Sequence, residues 1–178
     1  MAKKSSKSNS SLISGIIIAV LGALGLLTVL TPALRLASTS GVGDPVIRST
    51  LEALFGGALS KPDFLLLLGL ATGGTDCAAY VTMMEVGLWI GFIVAGLCLL
   101  LGIIKMFVQG KVAKYLNYAL IALAALGILA MGVALIGYII MLTMLADTIS
   151  MISVVIPLML VTFILVLLVC LLQKKIFR

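Results

Sequence analysis

Four long stretches of the chain carry no charged residue. They are residues 8–34, 86–104, 115–146 and 148–173. A helix needs about 20 apolar residues to cross the hydrocarbon core of a bilayer, which is roughly 30 Å thick. A helix also satisfies its own backbone hydrogen bonds in lipid, whereas an open strand does not. The pattern therefore predicts an all-α membrane protein, a bundle of four transmembrane helices at 12–34, 78–108, 115–145 and 150–173.

Polar segments flank the predicted helices. Residues 1–11 form a tail rich in lysine and serine, which we expect to be disordered because it has nothing to bury. A long loop, 35–77, follows the first helix, and a very short one precedes the fourth. The remaining connections and the second tail are predicted at 109–114, 146–149 and 174–178.

The long loop carries signals for a short helix. Asp44-Pro45 is typical of a helix N-cap followed by proline at the first helical position, and Gly56-Gly57 is typical of a helix end. Apolar residues recur at helical spacing between them, which predicts an amphipathic helix at 45–55. No structure is predicted for 56–76. The loop supplies the residues that we expect to contact a partner: Arg48, Glu52, Phe55, Asp63 and Asp76.

Composition agrees with the membrane interpretation. Hydrophobic residues make up 63% of the 178 residues and charged residues only 10%, whereas an ordinary soluble domain is about a quarter charged. The chain has no histidine, which excludes imidazole-based zinc sites, catalytic triads and proton relays. Its cysteines, Cys77, Cys98 and Cys170, form no CxxC pair, which disfavours a thiolate metal cluster.

The charges are divided between the two predicted faces of the membrane. One side has nine basic residues and no acid: Lys3, Lys4, Lys7, Lys105, Lys111, Lys114, Lys174, Lys175 and Arg178. The other has three basic and six acidic residues, so the sums of +9 and −3 return the net charge of +6. The positive-inside rule then predicts that both termini are cytoplasmic. A plasma membrane, specifically a bacterial inner membrane, is the expected location. The net charge is explained without a nucleic-acid partner.

The first predicted helix could instead belong to a cleaved signal peptide, since Thr31-Pro32-Ala33 is compatible with cleavage. Its apolar core, Leu12–Leu30, is longer than the roughly 7–15 residues of a secretory signal, and this favours a retained helix.

Small residues recur at intervals of three or four along three of the helices. Such stripes let helix backbones approach closely in lipid, either within one chain or between copies. The fourth helix lacks one, so we expect it to be the most exposed to lipid. The predicted helix-packing residues are Gly15, Ala19 and Gly22 in the first helix, Gly87, Gly91, Ala95 and Gly102 in the second, and Gly127, Ala130, Ala134 and Gly137 in the third.

No charged residue falls inside a predicted bilayer core. Glu85 and Asp147 lie near the outer interface, and Lys105 is expected to extend to the inner one. Intramembrane charges are typical of pumps and coupled transporters, so their absence disfavours that class and leaves a passive pore open. Trp89, Tyr115 and Tyr118 are typical of interfacial anchors, and the 105–114 turn could contact anionic lipid.

Carboxylates at the outer face are the remaining candidates for chemistry. Asp63, Asp76, Glu85 and Asp147 could converge on a divalent cation, although helix capping and solvated loop charges explain them as well. No nucleophile, base and orienting group occur together at a suggestive spacing. We therefore predict no catalytic, cofactor-binding or metal-ligating residue and no cofactor.

Two resemblances bear on the architecture. The topology resembles that of the claudins, and Gly87-Leu88-Trp89 echoes part of their signature, but Ile90-Gly91-Phe92 follows where claudins have two cysteines in the first outer loop. The chain also resembles small bacterial four-helix membrane proteins of unknown function, which pair a start rich in lysine and serine with a Gly/Leu-rich first helix ending in proline, here Leu21–Pro32. These resemblances imply an architecture and no activity.

The sequence thus predicts a non-enzymatic membrane protein that acts as an accessory, scaffold or self-assembling component. Its expected partners are the lipid bilayer and either further copies of the chain or another membrane protein. A small oligomeric channel or passive facilitator is the alternative. A membrane-embedded enzyme with a carboxylate site at its outer face is the more remote one.

Overall fold

The computed structural model describes residues 3–28, 34–38, 41–47, 78–145, 151–153 and 155–176. Helices account for most of these residues, and three short strands account for most of the rest. In chain order the elements are α1 (Lys3–Leu27), β1 (Leu34–Ser38), β2 (Gly41–Ile47), α2 (Ala78–Phe107), α3 (Lys111–Leu145), β3 (Met151–Ile152) and α4 (Val155–Ile176).

Three of the helices, α2, α3 and α4, are long and apolar enough to cross a membrane, judged by length and composition. The apolar part of α1, Ser11–Leu27, is shorter. The prediction of four helices is therefore confirmed in the described part of the chain, and three of them are long and apolar enough to span a membrane. At about 1.5 Å per residue, the 22 residues of α4 extend about 33 Å, which matches the thickness of a hydrocarbon core.

The chain divides into two compact units. Unit 1 comprises Met1–Leu26, Gly91–Leu129 and Leu160–Arg178. Its interior is built from side chains that are at most 1% exposed, among them Ile18, Leu120, Ala124, Phe163 and Val166.

Unit 2 comprises Leu27–Ile90 and Ala130–Met159. Its interior is rich in methionine: Met84, Met131, Met141 and Met159 are all at most 4% exposed. Methionine is unbranched and flexible, so it fills irregular gaps between helices that branched residues would leave open.

Large aliphatic side chains cover the outside of the helices. Leu24, Ile93, Leu129 and Leu171 are each at least 50% exposed, and similar residues recur along every helix. A water-soluble protein rarely exposes apolar surface on this scale. In a bilayer the same surface is matched to the acyl chains, so the exterior agrees with the composition.

A small antiparallel sheet lies in unit 2, with the strand order β2-β1-β3. The ends of β1 pair with β2 as Leu34↔Ile47 and Ser38↔Gly41. On its other side β1 pairs with β3, with Leu36 opposite Met151. The segment after α1 is therefore joined to the segment just before α4.

The predicted helix at 45–55 is wrong at its start, because Pro45–Ile47 belong to strand β2; residues 48–55 lie outside the described part of the chain. Proline has no backbone N–H, and β2 is an edge strand, where that loss is tolerated. The register of β1 is irregular on both sides of Arg35, which pairs with Pro45. Tertiary pairing has thus overridden a local helix signal.

Both ends of the first predicted helix also need correction. It begins at Lys3, inside the tail predicted to be disordered, and ends at Leu27, while Leu34 belongs to β1. The tail contains lysines, which are good helix formers, and Ser11, which is 6% exposed, packs against other helices. The helix therefore extends toward the N-terminus through polar residues, although these residues have little apolar surface to bury.

The other helices differ from their predicted bounds by smaller amounts. Helix α3 begins at Lys111 instead of 115, which shortens the predicted turn, and α2 ends one residue early at Phe107. Helix α4 begins at Val155, because Met151–Ile152 form β3. The expectation that the fourth helix is the most exposed is not confirmed, since the buried share of its apolar residues lies between those of α2 and α3.

Candidate functional site

The most unusual polar side chain in the described part of the chain is Lys105, in the last turn of α2. It is 0% exposed. Its Nζ donates hydrogen bonds to Asn117 Oδ1 on α3 at 2.8 Å and to Gln173 Oε1 on α4 at 2.9 Å. The prediction that Lys105 extends to the membrane surface is therefore wrong, because the side chain lies inside unit 1.

Ser11 on α1 contacts the same end of α2. Its Oγ lies 3.0 Å from Lys105 O and 3.3 Å from Val108 O, both of which are positioned to accept its proton. The last carbonyls of a helix have no partner within the helix. Ser11 therefore supplies a donor where α2 ends and needs one.

Asn117 completes the connection between α3 and α4. Its Oδ1 accepts from Lys105, and its Nδ2 donates to Cys170 O at 3.2 Å. All four helices thus contribute one side chain to a single hydrogen-bonded group. We call it the Lys105 cluster and define it as Ser11, Lys105, Asn117 and Gln173.

The cluster holds a cation without a carboxylate. The acidic residues of the chain lie between Asp44 and Glu85 or at Asp147. Glu85 is on the same helix as Lys105 but 20 residues away, which is about 30 Å at 1.5 Å per residue. A buried charge is costly unless it is hydrogen-bonded. Here two amide oxygens accept hydrogen bonds from Nζ, and a position in the last turn of α2 favours a cation.

This arrangement is suited to joining helices. Lys105 is closed off from solvent, and its hydrogen bonds in the described structure end on the protein itself. Among the described residues, no group of three or more His, Cys, Asp or Glu side chains that could hold a metal occurs.

The stripes of α1 and α2 pack against each other within unit 1. A Cβ added at Gly15 would lie 2.9 Å from Gly102 O, and one added at Gly22 would lie 2.6 Å from Leu99 N. A Cβ added at Gly102 would lie 2.7 Å from Ala19 N. These distances are too short for any real Cβ, so the two backbones approach closely only because the residues are glycine.

Glycines of α2 and α3 perform the same role in unit 2. A Cβ added at Gly87 would lie 2.6 Å from both Ala130 O and Ala134 Cβ. In the other direction, a Cβ added at Gly137 would lie 2.8 Å from Tyr80 O. In unit 1, Gly127 leaves room for the ring of Phe163 on α4, 2.8 Å from where its Cβ would be.

Glycines from the predicted packing set therefore lie against neighbouring helices of the same chain: Gly15, Gly22, Gly87, Gly102, Gly127 and Gly137. Gly91, Ala95, Ala130 and Ala134 are buried as well. A seam between copies would need these faces to be open. The structure instead uses them for contacts within the chain.

The residues predicted to contact a partner, Arg48, Glu52, Phe55, Asp63 and Asp76, lie outside the described residues. So do Cys77 and Asp147, while Glu85 and Trp89 are half-buried on α2. Cys98 and Cys170 are free and buried.

A second polar contact, in unit 2, joins α3 to the residue after β3. Ser153 N donates to Tyr138 Oη at 2.8 Å, and both residues are buried. Ser153 Oγ is also buried and has no hydrogen-bond partner among the described residues. This contact fixes the chain between the sheet and α4.

The Lys105 cluster is not among the residues predicted from the sequence, although the sequence contains two signals for it. Asn117 and Gln173 are amide residues at the ends of otherwise apolar helices. Lys105 and Asn117 are 12 residues apart across the turn between α2 and α3, so an antiparallel pair of helices brings them to a similar level.

Comparison with known proteins finds no protein family, no curated protein and no solved structure that matches this chain.

Proposed function

We propose that the protein is a four-helix integral membrane protein with both termini on the basic side, in the plasma membrane of a bacterium. It acts without enzymatic chemistry, as an accessory or scaffold component that presents the segment 35–77 to a membrane-protein partner. The support for a membrane location is the combination of apolar helices and an aliphatic exterior.

The observation that carries the scaffold role is the sheet. Strand β1 pairs both with β2, at the start of the long segment, and with β3, just before α4. Because β2 belongs to the segment itself, the pairing that attaches the segment to another part of the chain is the one between β1 and β3. Residues that are already ordered by pairing lose less freedom on binding, which supports recognition at this end of the segment.

The packing stripes argue for a partner of a different kind and against self-association. Contacts within the chain occupy the small-residue faces of α1, α2 and α3. The most polar long segment left for recognition is the one between α1 and α2, with Arg48, Glu52, Phe55, Asp63 and Asp76.

The test is co-purification from native membranes in a mild detergent. We expect a partner in stoichiometric amount, and we expect its recovery to fall by about tenfold in Phe55→Ala/Asp63→Asn, which corresponds to about 1.4 kcal/mol. Gln109→Ala, a surface change at the opposite predicted face, is the matched control and should recover the partner normally.

Two results would contradict the proposal. One is a symmetric homo-oligomer without another protein, particularly if the purified chain alone conducts ions or solutes across liposomes. That result would favour the channel. The other is normal partner recovery by Phe55→Ala/Asp63→Asn, which would leave the segment 35–77 without the proposed role.

A further inference from the structure

The first turns of α3 expose a set of side chains on one face. Lys111 and Lys114 are exposed, Tyr115 is 71% exposed and Tyr118 is 63% exposed. Their separations of three and four residues bring them together on one side of a helix. All of them belong to unit 1.

The same face continues along α3 with apolar residues alone. Ala122 is exposed, Leu126 is 48% exposed and Leu129 is 69% exposed. We call Lys111, Lys114, Tyr115, Tyr118, Ala122, Leu126 and Leu129 the α3 outer face. It runs from cations through phenols to aliphatic side chains, the order in which a lipid presents its head group, interface and acyl chain.

The spacing also fits the dimensions of a lipid. Four residues separate Lys114 from Tyr118, which is about 6 Å along a helix. The polar region on each side of a bilayer is roughly 5–8 Å thick. With Tyr118 at the edge of the hydrocarbon, Lys114 therefore lies at the level of the phosphates. Lys111 lies one turn further out, about 10 Å from Tyr118, at the outer edge of the head groups.

The charge at this end of unit 1 is positive and has no acidic side chain to balance it. No acidic residue occurs between Glu85 and Asp147. Lys105, in the last turn of α2, adds a buried lysine whose Nζ donates to amide oxygens rather than to a carboxylate. The ligand that complements this surface is an anion with an apolar chain.

We propose that the α3 outer face binds an anionic phospholipid. The phosphate lies between the ammonium groups of Lys111 and Lys114, and an acyl chain follows Ala122, Leu126 and Leu129. This inference rests on the proposed insertion in a membrane. It adds to the proposed function a specific class of lipid that binds at one face of α3.

A tryptophan placed on this face can report which lipid lies beside it. Trp89 is the only tryptophan in the chain, so the full chain carrying Trp89→Phe/Ala122→Trp has one indole at the acyl level. The chain is reconstituted in phosphatidylcholine with phosphatidylglycerol, and one lipid is brominated at a time. We expect brominated phosphatidylglycerol to quench the indole fluorescence as if this lipid bound the α3 outer face about threefold to fivefold more tightly than phosphatidylcholine.

Loss of the two lysines should remove this preference. In the reporter chain, Lys111→Gln/Lys114→Gln should bring the ratio of the two apparent lipid affinities to about one. High salt should lower the same ratio by screening. Arg48→Gln/Lys61→Gln, which removes the same two positive charges in the segment between α1 and α2, should leave the ratio unchanged. The native Trp89, used as a second reporter on α2, should show no preference.

Equal quenching by the two lipids would overturn the proposal, and so would a preference that survives Lys111→Gln/Lys114→Gln. Flotation of the vesicles separates this failure from failure of the proposed function. A chain that floats in the vesicles and shows no preference overturns the lipid site alone. A chain that does not float overturns both.

Discussion

At the scale of single residues, the burial of Lys105 is the feature that most needs explanation. Hydrophobic packing alone would exclude an ammonium group from this interior, because its desolvation is costly. Two amide oxygens, from Asn117 and Gln173, accept its hydrogen bonds at 2.8 and 2.9 Å. The side chain and its partners are therefore expected to behave as one unit when any of them is replaced.

A double-mutant cycle tests this unit. Asn117→Leu leaves the ammonium buried with one acceptor fewer, and we expect it to lower the free energy of unfolding by about 3 kcal/mol. Lys105→Met removes the charge and should cost less, about 1–2 kcal/mol for the acceptors left without a donor. Lys105→Met/Asn117→Leu should cost at least about 1 kcal/mol less than the sum of the two. Denaturant titration of the purified protein in detergent micelles measures all three.

The exposed Lys114 provides the control. Lys114→Met changes the same side chain at the surface and should stay within about 0.5 kcal/mol of the original protein. Strictly additive costs for Lys105→Met and Asn117→Leu would show that the two side chains do not depend on each other.

At the scale of elements, the sequence predicts helices well and strands poorly. The helices follow from apolar runs, which are local properties of the chain. Strand β1 pairs with the neighbouring β2 and also with β3, where Leu36 lies opposite Met151 more than a hundred residues away. The sequence of β2 contains two glycines and a proline, which are rare in strands, so its extended form comes from pairing and not from propensity.

The candidate site shows the same limit. The small-residue stripes are visible in the sequence because they repeat at helical spacing. The Lys105 cluster combines single residues from four helices, so finding it requires the rotation of each helix about its axis. Hydropathy alone does not supply that rotation.

The contact between α1 and α2 can be tested with two glycines that differ only in their surroundings. At Gly22 a Cβ would lie 2.6 Å from Leu99 N and 2.9 Å from Leu99 Cα, so the backbones must separate. At Gly96 a Cβ would lie 3.9 Å from Leu26 Cδ2, an ordinary contact. We expect Gly22→Ala to destabilise the protein by about 1–3 kcal/mol.

Gly96→Ala is the matched control, because it adds the same methyl group to the same helix pair. Alanine has a higher helix propensity than glycine, so Gly96→Ala should be neutral or stabilise by up to about 1 kcal/mol. Thermal unfolding in detergent compares the two variants. Equal effects would show that the close approach at Gly22 does not limit the packing of α1.

At the scale of the whole molecule, the number of membrane crossings is decided by α1. Helices α2, α3 and α4 are long enough to cross, whereas the apolar part of α1 is the shorter Ser11–Leu27. Its 17 residues extend about 26 Å, and a bilayer accommodates a deficit of a few ångströms by thinning locally. With four crossings both termini lie on one side, and with three they lie on opposite sides.

Cysteine labelling distinguishes these topologies, because they differ in whether residues 5 and 77 share a side. With α1 in the membrane, a membrane-impermeant maleimide added to intact cells should label Cys77, while Cys77→Ser/Ser5→Cys should be labelled only after permeabilisation. The remaining cysteines, Cys98 and Cys170, are buried, so Cys77→Ser alone should give no signal and serves as the control. If α1 does not cross the membrane, residues 5 and 77 lie on the same side and are labelled together. The N-terminal lysines are then on the side opposite to the other basic residues, and the proposed orientation is wrong.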